Sequence, residues 1–246
     1  MAQNLFADLA AGYANSRPPV HPRIIERAQR RIQKATFTNA LDIGCGAGLS
    51  TLALAPLSTH AIGLEPAEAM LRQASKTNAY VVGCAEGLPF ADQSIELMTA
   101  AGSLNYTDNL SGFFTEARRV LKHNGTMLVY DFSQGRNDTL KGWFDQFMTR
   151  YPKAQDNARF LDPATLHTAA AGSFGMPWHE HFQIPIPLDQ DFYIDYMMTE
   201  TNVADAIRRG NETAAQIRMW ITQSLSPLFA GKSQQILFDG YVACLQ

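Results

Sequence analysis

Cysteine is scarce in this chain: Cys45, Cys84 and Cys244 are the only three in 246 residues. They show neither C-x-x-C nor zinc-like spacing, so a disulfide scaffold is excluded and a reducing, cytoplasmic setting is expected. A basic surplus is also missing. Twenty Lys and Arg against 23 Asp and Glu leave a net charge of −3. Only Arg27, Arg30 and Arg31 cluster, on an expected surface helix, and that argues against an electrostatic grip on nucleic acid. No apolar run approaches the ~18 residues of a membrane span. The opening Met1-Ala2-Gln3-Asn4 lacks the basic and apolar segments of a secretory leader, so a soluble protein is expected. Neither a G-x-S-x-G elbow nor a G-x-x-x-x-G-K phosphate loop occurs. His179 and His181 alternate along an expected strand, with His167 near in sequence, but no cysteine or acidic partner completes a set, and no metal is expected.

What the chain does contain is concentrated at Ala40-Leu41-Asp42-Ile43-Gly44-Cys45-Gly46-Ala47-Gly48. An apolar run ending in three alternate glycines before Leu49-Ser50-Thr51-Leu52 predicts strand, tight turn and helix, with bare main chain open to a nucleotide-like ligand. A second short run, Thr59–Leu64, ends in Glu65, roughly 20 residues beyond Gly44, the interval at which a Rossmann-type carboxylate meets a ribose diol. Pro66 is expected to open the next helix, with Ala67, Met70, Leu71 and Ala74 on its inner face. The turn is G-x-G-x-G. A dinucleotide fingerprint would need its third glycine where Leu49 stands.

Further runs predict strands at Ala79–Gly83, Ile95–Gly102, Thr126–Phe132, Trp178–Ile184 and Gln235–Cys244. A helix carrying Leu110, Phe113, Phe114, Ala117, Val120 and Leu121 is expected to stop at Asn124-Gly125. Another helix is expected after Asp162-Pro163, ending at Gly172, and an early one near Arg23, with Ile24, Ile25, Ala28 and Ile32 as its stripe. The expected class is α/β: a Rossmann-like, seven-stranded, mostly parallel sheet with one antiparallel strand, helices on both faces and a helical cap.

The glycine turn with Asp42 resembles motif I of the class I S-adenosylmethionine (SAM) dependent methyltransferases. The segment Cys84-Ala85-Glu86-Gly87-Leu88-Pro89-Phe90 resembles that family's Gly-Asp-Ala, acidic, Leu-Pro-Phe stretch, with Cys84 at the aspartate. The run Arg119-Val120-Leu121-Lys122-His123-Asn124-Gly125 resembles its Arg-Val-Leu-Lys-Pro-Gly-Gly signature. Phe6-Ala7, Ala10 to Tyr13, Arg17-Pro18 and His21-Pro22 look like the amino-terminal segment of the ubiquinone/menaquinone-type (methyltransferase type 11) and trans-aconitate-type enzymes. The resemblance spans roughly residues 5 to 133. It implies SAM as cofactor, with Tyr13, and secondarily Arg17, near its methionine end. The last strand would then lie antiparallel between the fifth and sixth. The implied cofactor set is Tyr13, Asp42, Gly44, Cys45, Gly46, Glu65, Pro66, Cys84, Ala85, Glu86, Ala101 and Ser103, with Gly102 beside them. Because cysteine is a poor acceptor, the adenine contact of the family's aspartate would pass to Ala85 backbone, to Glu86 or to a water.

The chain is expected to be one domain, residues 1–246, with cap insertions at about 134–160 and 188–232. Both insertions leave the sheet at its ligand-binding edge. Trp143, Phe144 and Phe147 in the first, and Phe192, Tyr193 and Tyr196 in the second, are the expected substrate-binding residues, favouring an apolar or planar small-molecule acceptor. Tyr106, His179 and His181 are available as a base. Asn105-Tyr106 lacks the Asn/Asp-Pro-Pro-Tyr pattern of nucleic-acid amino methyltransferases. A non-catalytic partner subunit on the SAM fold and an NAD-dependent oxidoreductase are the competing readings.

Overall fold

The apolar runs become the strands of one sheet, because most of them can bury both faces between layers of helix. The computed structural model describes residues 13–32, 34, 36–152 and 161–246. The Phe6-Ala7 and Ala10 motifs, and the end of the first insertion, lie outside the described residues.

The chain runs α1 (Val20–Gln29), β1 (Phe37–Ile43), α2 (Leu49–Leu52), β2 (Ser58–Glu65), α3 (Glu68–Leu71) and β3 (Ala79–Val82). It continues through β4 (Ile95–Ala101), a 3-10 turn (Leu104–Tyr106), α4 (Leu110–Val120), β5 (Leu121–Phe132), α5 (Lys141–Arg150) and α6 (Pro163–Ala170). It ends with β6 (Trp178–Leu188), α7 (Gln190–Met198), α8 (Thr201–Arg208), α9 (Ala214–Phe229) and β7 (Gln234–Leu245). The sheet order is β3-β2-β1-β4-β5-β7-β6. Strands β1 to β5 pair in parallel, and β7 runs antiparallel between β5 and β6, as the resemblance implies. The order reverses direction between β1 and β4. Chain leaving those two strands diverges and opens a crevice at their carboxyl ends.

Side-chain alternation divides the interior into two cores. Leu128 and Tyr130 point to the layer holding Ile24 and Ala28 of α1, whereas Met127 and Val129 face Phe113 and Ala117 of α4. The edge strand β6 buries Phe182, Ile184, Ile186 and Leu188 and exposes the residues between them. Two of those are Pro185 and Pro187. Lacking an N–H, they are tolerated on an edge strand and discourage addition of another.

Several boundaries differ from the sequence reading. Helix α1 begins at Val20, earlier than Arg23, because Pro22 falls in its first turn, where an N–H has no helical partner. Pro66 precedes the helix; Ala67 is its N-cap, held extended by its N–H bond to Glu65. Helix α4 stops at Val120, ahead of Asn124-Gly125. Leu121 instead joins β5 opposite Ile95, where the register shifts, and the Arg118 guanidinium bonds the carbonyls of Leu121 and Lys122 at 3.2 and 2.6 Å. The helix at Pro163 is capped by Asp162, whose carboxylate accepts from Thr165 N.

Candidate active site

At the carboxyl ends of β1, β2, β4 and β5 lies a cleft of about 710 Å³. One half is built by the β1–α2 turn. Gly44 has φ +64°, and a Cβ there would come within 2.3 Å of the Ser103 Cβ, so only glycine lets the turn close on the β4 loop. Ser103 holds that closure by donating its hydroxyl to the Ile43 carbonyl. Gly46, at φ +55°, lines the cleft; a Cβ there would have Met70 as its one near neighbour, at 3.3 Å, so a side chain would occupy cleft space.

Glu65 closes this half. It is 8% exposed at the end of β2, and its two carboxylate oxygens accept from Gly46 N at 3.0 Å and Ala67 N at 2.9 Å. Burial raises its pKa above the ordinary carboxylate value, while the two N–H groups pull the other way. Each oxygen keeps a lone pair for a ligand hydroxyl. Tyr13, Cys45, Pro66, Cys84, Ala85, Glu86, Ala101 and Gly102 line the same cleft. Cys84 is exposed at its edge, and Glu86 accepts a hydrogen bond from Thr107.

Asp42 does not line it. Its carboxylate is fully buried beneath the turn, accepting from Ser50, Thr51 and Thr99 hydroxyls at 2.6, 2.8 and 2.7 Å. A strand residue two places before the turn points into the sheet's helix layer, so Asp42 ties β1, α2 and β4 together. Burial pushes its pKa up.

The other half of the cleft is more polar than the clustered aromatics suggest. Trp143, Phe147 and Tyr193 are turned inward: the Trp143 ring stacks on Phe147 at 5.3 Å and on Trp220 at 6.0 Å, with Tyr193 edge-on at 5.9 Å. Trp143 satisfies its indole N–H on Ser224. These rings, with Ile217, Ile221 and Phe229, belong to the core that also holds Tyr130, so the insertions stay folded by burying their apolar surface with that of the sheet. Phe144 is buried, and Phe192 packs against the same core and lines a separate surface groove with Pro19 and Leu188. Of the six expected substrate residues only Tyr196 lines the cleft.

What faces this half instead is a set of hydrogen-bonding groups. Arg17 donates to Glu200 at 2.9 Å and to Thr199 at 3.2 Å, and its guanidinium lies between the Tyr13 and Tyr196 rings at 5.0 and 4.9 Å. Gln134 donates to the other Glu200 oxygen. His21 pairs its Nδ1 with the Tyr130 hydroxyl at 3.0 Å; burial, and next the Arg17 charge, pulls its pKa down to about 3, so the ring is neutral. Asn105 donates to Asp131 at 2.7 Å. Tyr106 is 42% exposed at the cleft, and partial burial, as the first cause, pushes its phenol up to about 12.

His179 and His181 stand apart. They are exposed on the edge strand β6, their rings 5.9 Å apart, and neither lines the cleft. Among the described residues no group of three or more His, Cys, Asp or Glu gathers as a metal site would require. Sequence reasoning passed over His21, Asn105, Asp131, Gln134 and Glu200. The rule that residues at strand carboxyl ends line the ligand crevice would have found Asp131 and its neighbours. Nothing local marks Glu200, whose partner Arg17 is 183 residues away.

Residues 41–129, from β1 to β5, match the family model described as a methyltransferase domain. A demethylmenaquinone methyltransferase from Tropheryma whipplei is 32% identical over 101 residues, 39% of this chain and 42% of that protein. The chain spans about half the length of the curated relatives it matches. Among solved structures, a type II methyltransferase candidate from Anaeromyxobacter dehalogenans superposes with a TM-score of 0.70 at 19% identity, covering 91% of this chain and 94% of its own. The cyclase SpnF superposes at 0.56 with 17% identity, covering 92% and 80%. Residues 41–129 are thus similar to a methyltransferase domain, and the chain shares its fold with a solved structure described as a methyltransferase.

Proposed function

We propose that the protein binds SAM along the cleft and transfers its methyl group to a small, polar acceptor. The observation that carries the reading is Glu65: a buried carboxylate braced by the glycine turn at the sheet's switch point, with an unfilled acceptor on each oxygen. The open face of Gly46, which a side chain would fill, fits the same ligand. SAM, when bound, supplies a methyl group on a sulfonium sulfur, already activated for in-line displacement.

The chain's own task is then positioning and exclusion of water. Glu65 would hold the ribose, and the Gly44–Gly46 main chain the methionine part. Cys84, Ala85 and Glu86 flank the adenine end. Helices α5 and α7 to α9 act as a cap whose contribution to the acceptor end comes from the α7–α8 corner, Tyr196 to Thr201. The Arg17–Glu200 pair ties the amino-terminal arm to that corner at the cleft. Tyr13 and Tyr196 present ring faces suited to a cationic sulfonium. A neutral His21 held by Tyr130 offers the acceptor a hydrogen bond. A small-molecule acceptor suits a concave cleft lined here by polar side chains, and the sequence shows no basic stripe for nucleic acid. Among the described residues no helix is long and apolar enough to cross a membrane.

Calorimetric titration with SAM, followed by transfer of labelled methyl to a panel of polar acceptors, tests this. SAM binding with turnover is the expected result. Cys84 at the family's aspartate position favours a second reading, a SAM-fold subunit without activity; absence of SAM binding at millimolar concentration would support it. Preference for NADH over SAM would sink both.

A further inference from the structure

Among the described residues, the acceptor half of the cleft contains a cation with no carboxylate beside it. Arg17 is answered by Glu200, whose second oxygen takes Gln134. Asp131 accepts from Asn105 Nδ2 at 2.7 Å and from Phe132 N at 2.8 Å. Arg136 lines the same cleft, yet among the described residues it forms no ion pair with any carboxylate.

Arg136 is nevertheless held in place. Its backbone is bridged in both directions to Leu237, N to O at 3.1 Å and O to N at 2.9 Å, which docks the segment after β5 against β7. Its guanidinium lies 5.3 Å from the centre of the buried Phe144 ring. An arginine resting on an aromatic face loses less freedom when it binds, and it keeps its N–H edge for a planar anion. Phe144, expected to touch substrate, acts here as the platform for a residue that can.

A second observation comes from the same segment. Ser133 lines the cleft, and its Oγ is buried without a hydrogen-bond partner. An unpaired buried hydroxyl costs stability, and a ligand oxygen would remove the cost. Ser133 and the exposed Arg136, three residues apart, both line the cleft, and a hydroxyl donor with a guanidinium is complementary to an oxyanion. In a chain of net charge −3, an anion would not be drawn in without a dedicated cation.

We propose that the methyl acceptor carries a carboxylate or phosphate group and that Arg136 and Ser133 form the subsite that anchors it. This rests on the methyltransferase reading and deepens it. The anchored group is the handle by which the acceptor is oriented; the atom that receives the methyl is a separate matter.

The test uses the full chain saturated with S-adenosylhomocysteine, and calorimetry with three matched probes: benzoate, phenyl phosphate and neutral benzamide. At least one anionic probe should bind, at least tenfold tighter than benzamide, and the tighter of the two anions identifies the group. Arg136→Gln should weaken that anion tenfold or more and leave benzamide and S-adenosylhomocysteine within twofold. Arg136→Lys should recover part of the loss, and Ser133→Ala should cost three- to tenfold. Equal binding of benzamide and the anions, failure of both anions to bind at 10 mM, or indifference of anion binding to Arg136→Gln would each overturn the subsite. Failure of the wild-type chain to bind S-adenosylhomocysteine would instead strike the methyltransferase reading on which the subsite depends.

Discussion

Replacing Glu65 with Gln separates what the sequence suggests from what the structure requires. From the sequence, Glu65 is a ribose acceptor, and Gln, keeping one oxygen, should lose less than Ala. In the structure both carboxylate oxygens already serve the backbone, at 3.0 Å from Gly46 N and 2.9 Å from Ala67 N. An amide has one acceptor end. Whichever way it is turned, its NH2 faces one of those N–H groups, leaving a buried donor unsatisfied at a cost of about 1–3 kcal/mol of stability. In the bound state one ribose hydroxyl also loses its acceptor and the other loses a charged one, together about 2–3 kcal/mol, or roughly 30- to 150-fold in affinity. Glu65→Gln should therefore bind SAM about as poorly as Glu65→Ala and unfold at lower denaturant than wild type.

Calorimetry with SAM and with a 2′,3′-dideoxy analogue, beside urea unfolding of the apo protein, measures both terms. The analogue should erase the affinity difference between wild type and variants. The raised pKa adds a pH signature with two opposite signs. Apo stability from this group is present below the unfolded carboxylate pKa and is lost as pH rises through the folded one. SAM affinity, which needs the ionised form, should fall on acidification from above the usual carboxylate range, and Glu65→Ala should lack that part of the profile. A Glu65→Gln protein with wild-type stability and SAM affinity within twofold would refute the reasoning, as would a dideoxy analogue that still tells the variants apart.

Glu200→Leu should cost about 2–4 kcal/mol of stability by stranding Arg17, and Arg17→Met in the same chain should recover part of it; additive losses in the double-mutant cycle would show that the two do not act as a pair. Cys84→Asp should tighten SAM about tenfold by restoring a charged acceptor at the adenine end, measured by calorimetry, and an unchanged or weaker affinity would remove Cys84 from the adenine contact. His21 has a folded pKa of about 3, so the stability tied to its neutral form is complete above its ordinary value and is lost as pH falls from about 6.5 toward 3. His21→Gln should thus narrow the fall in Tm between pH 6.5 and 4, and a pH-independent Tm difference from wild type would contradict this.

The sheet and the glycine-turn end of the cleft were readable from the chain because their determinants are local. A glycine turn, the carboxylate about 20 residues on and the alternating apolar runs each act within one βα unit, so spacing alone carries their geometry. Two of the three hydroxyl bonds that hold Asp42 are local as well, since Ser50 and Thr51 follow it by one turn, whereas the third comes from Thr99, 57 residues away. The acceptor end was not readable, since it is assembled from four distant pieces: Arg17 of the arm, Asn105 after β4, Ser133 to Arg136 after β5 and Tyr196 to Glu200 at the α7–α8 corner. An aromatic cluster in sequence also looks the same whether it lines a pocket or fills a core. Packing decides, and Trp143, Phe147 and Tyr193 turn inward because helices α5, α7 and α9 must bury apolar surface against one another before they can hold anything over the cleft. That same closure carries Arg17 to Glu200 and leaves Arg136 at the cleft with no carboxylate partner among the described residues.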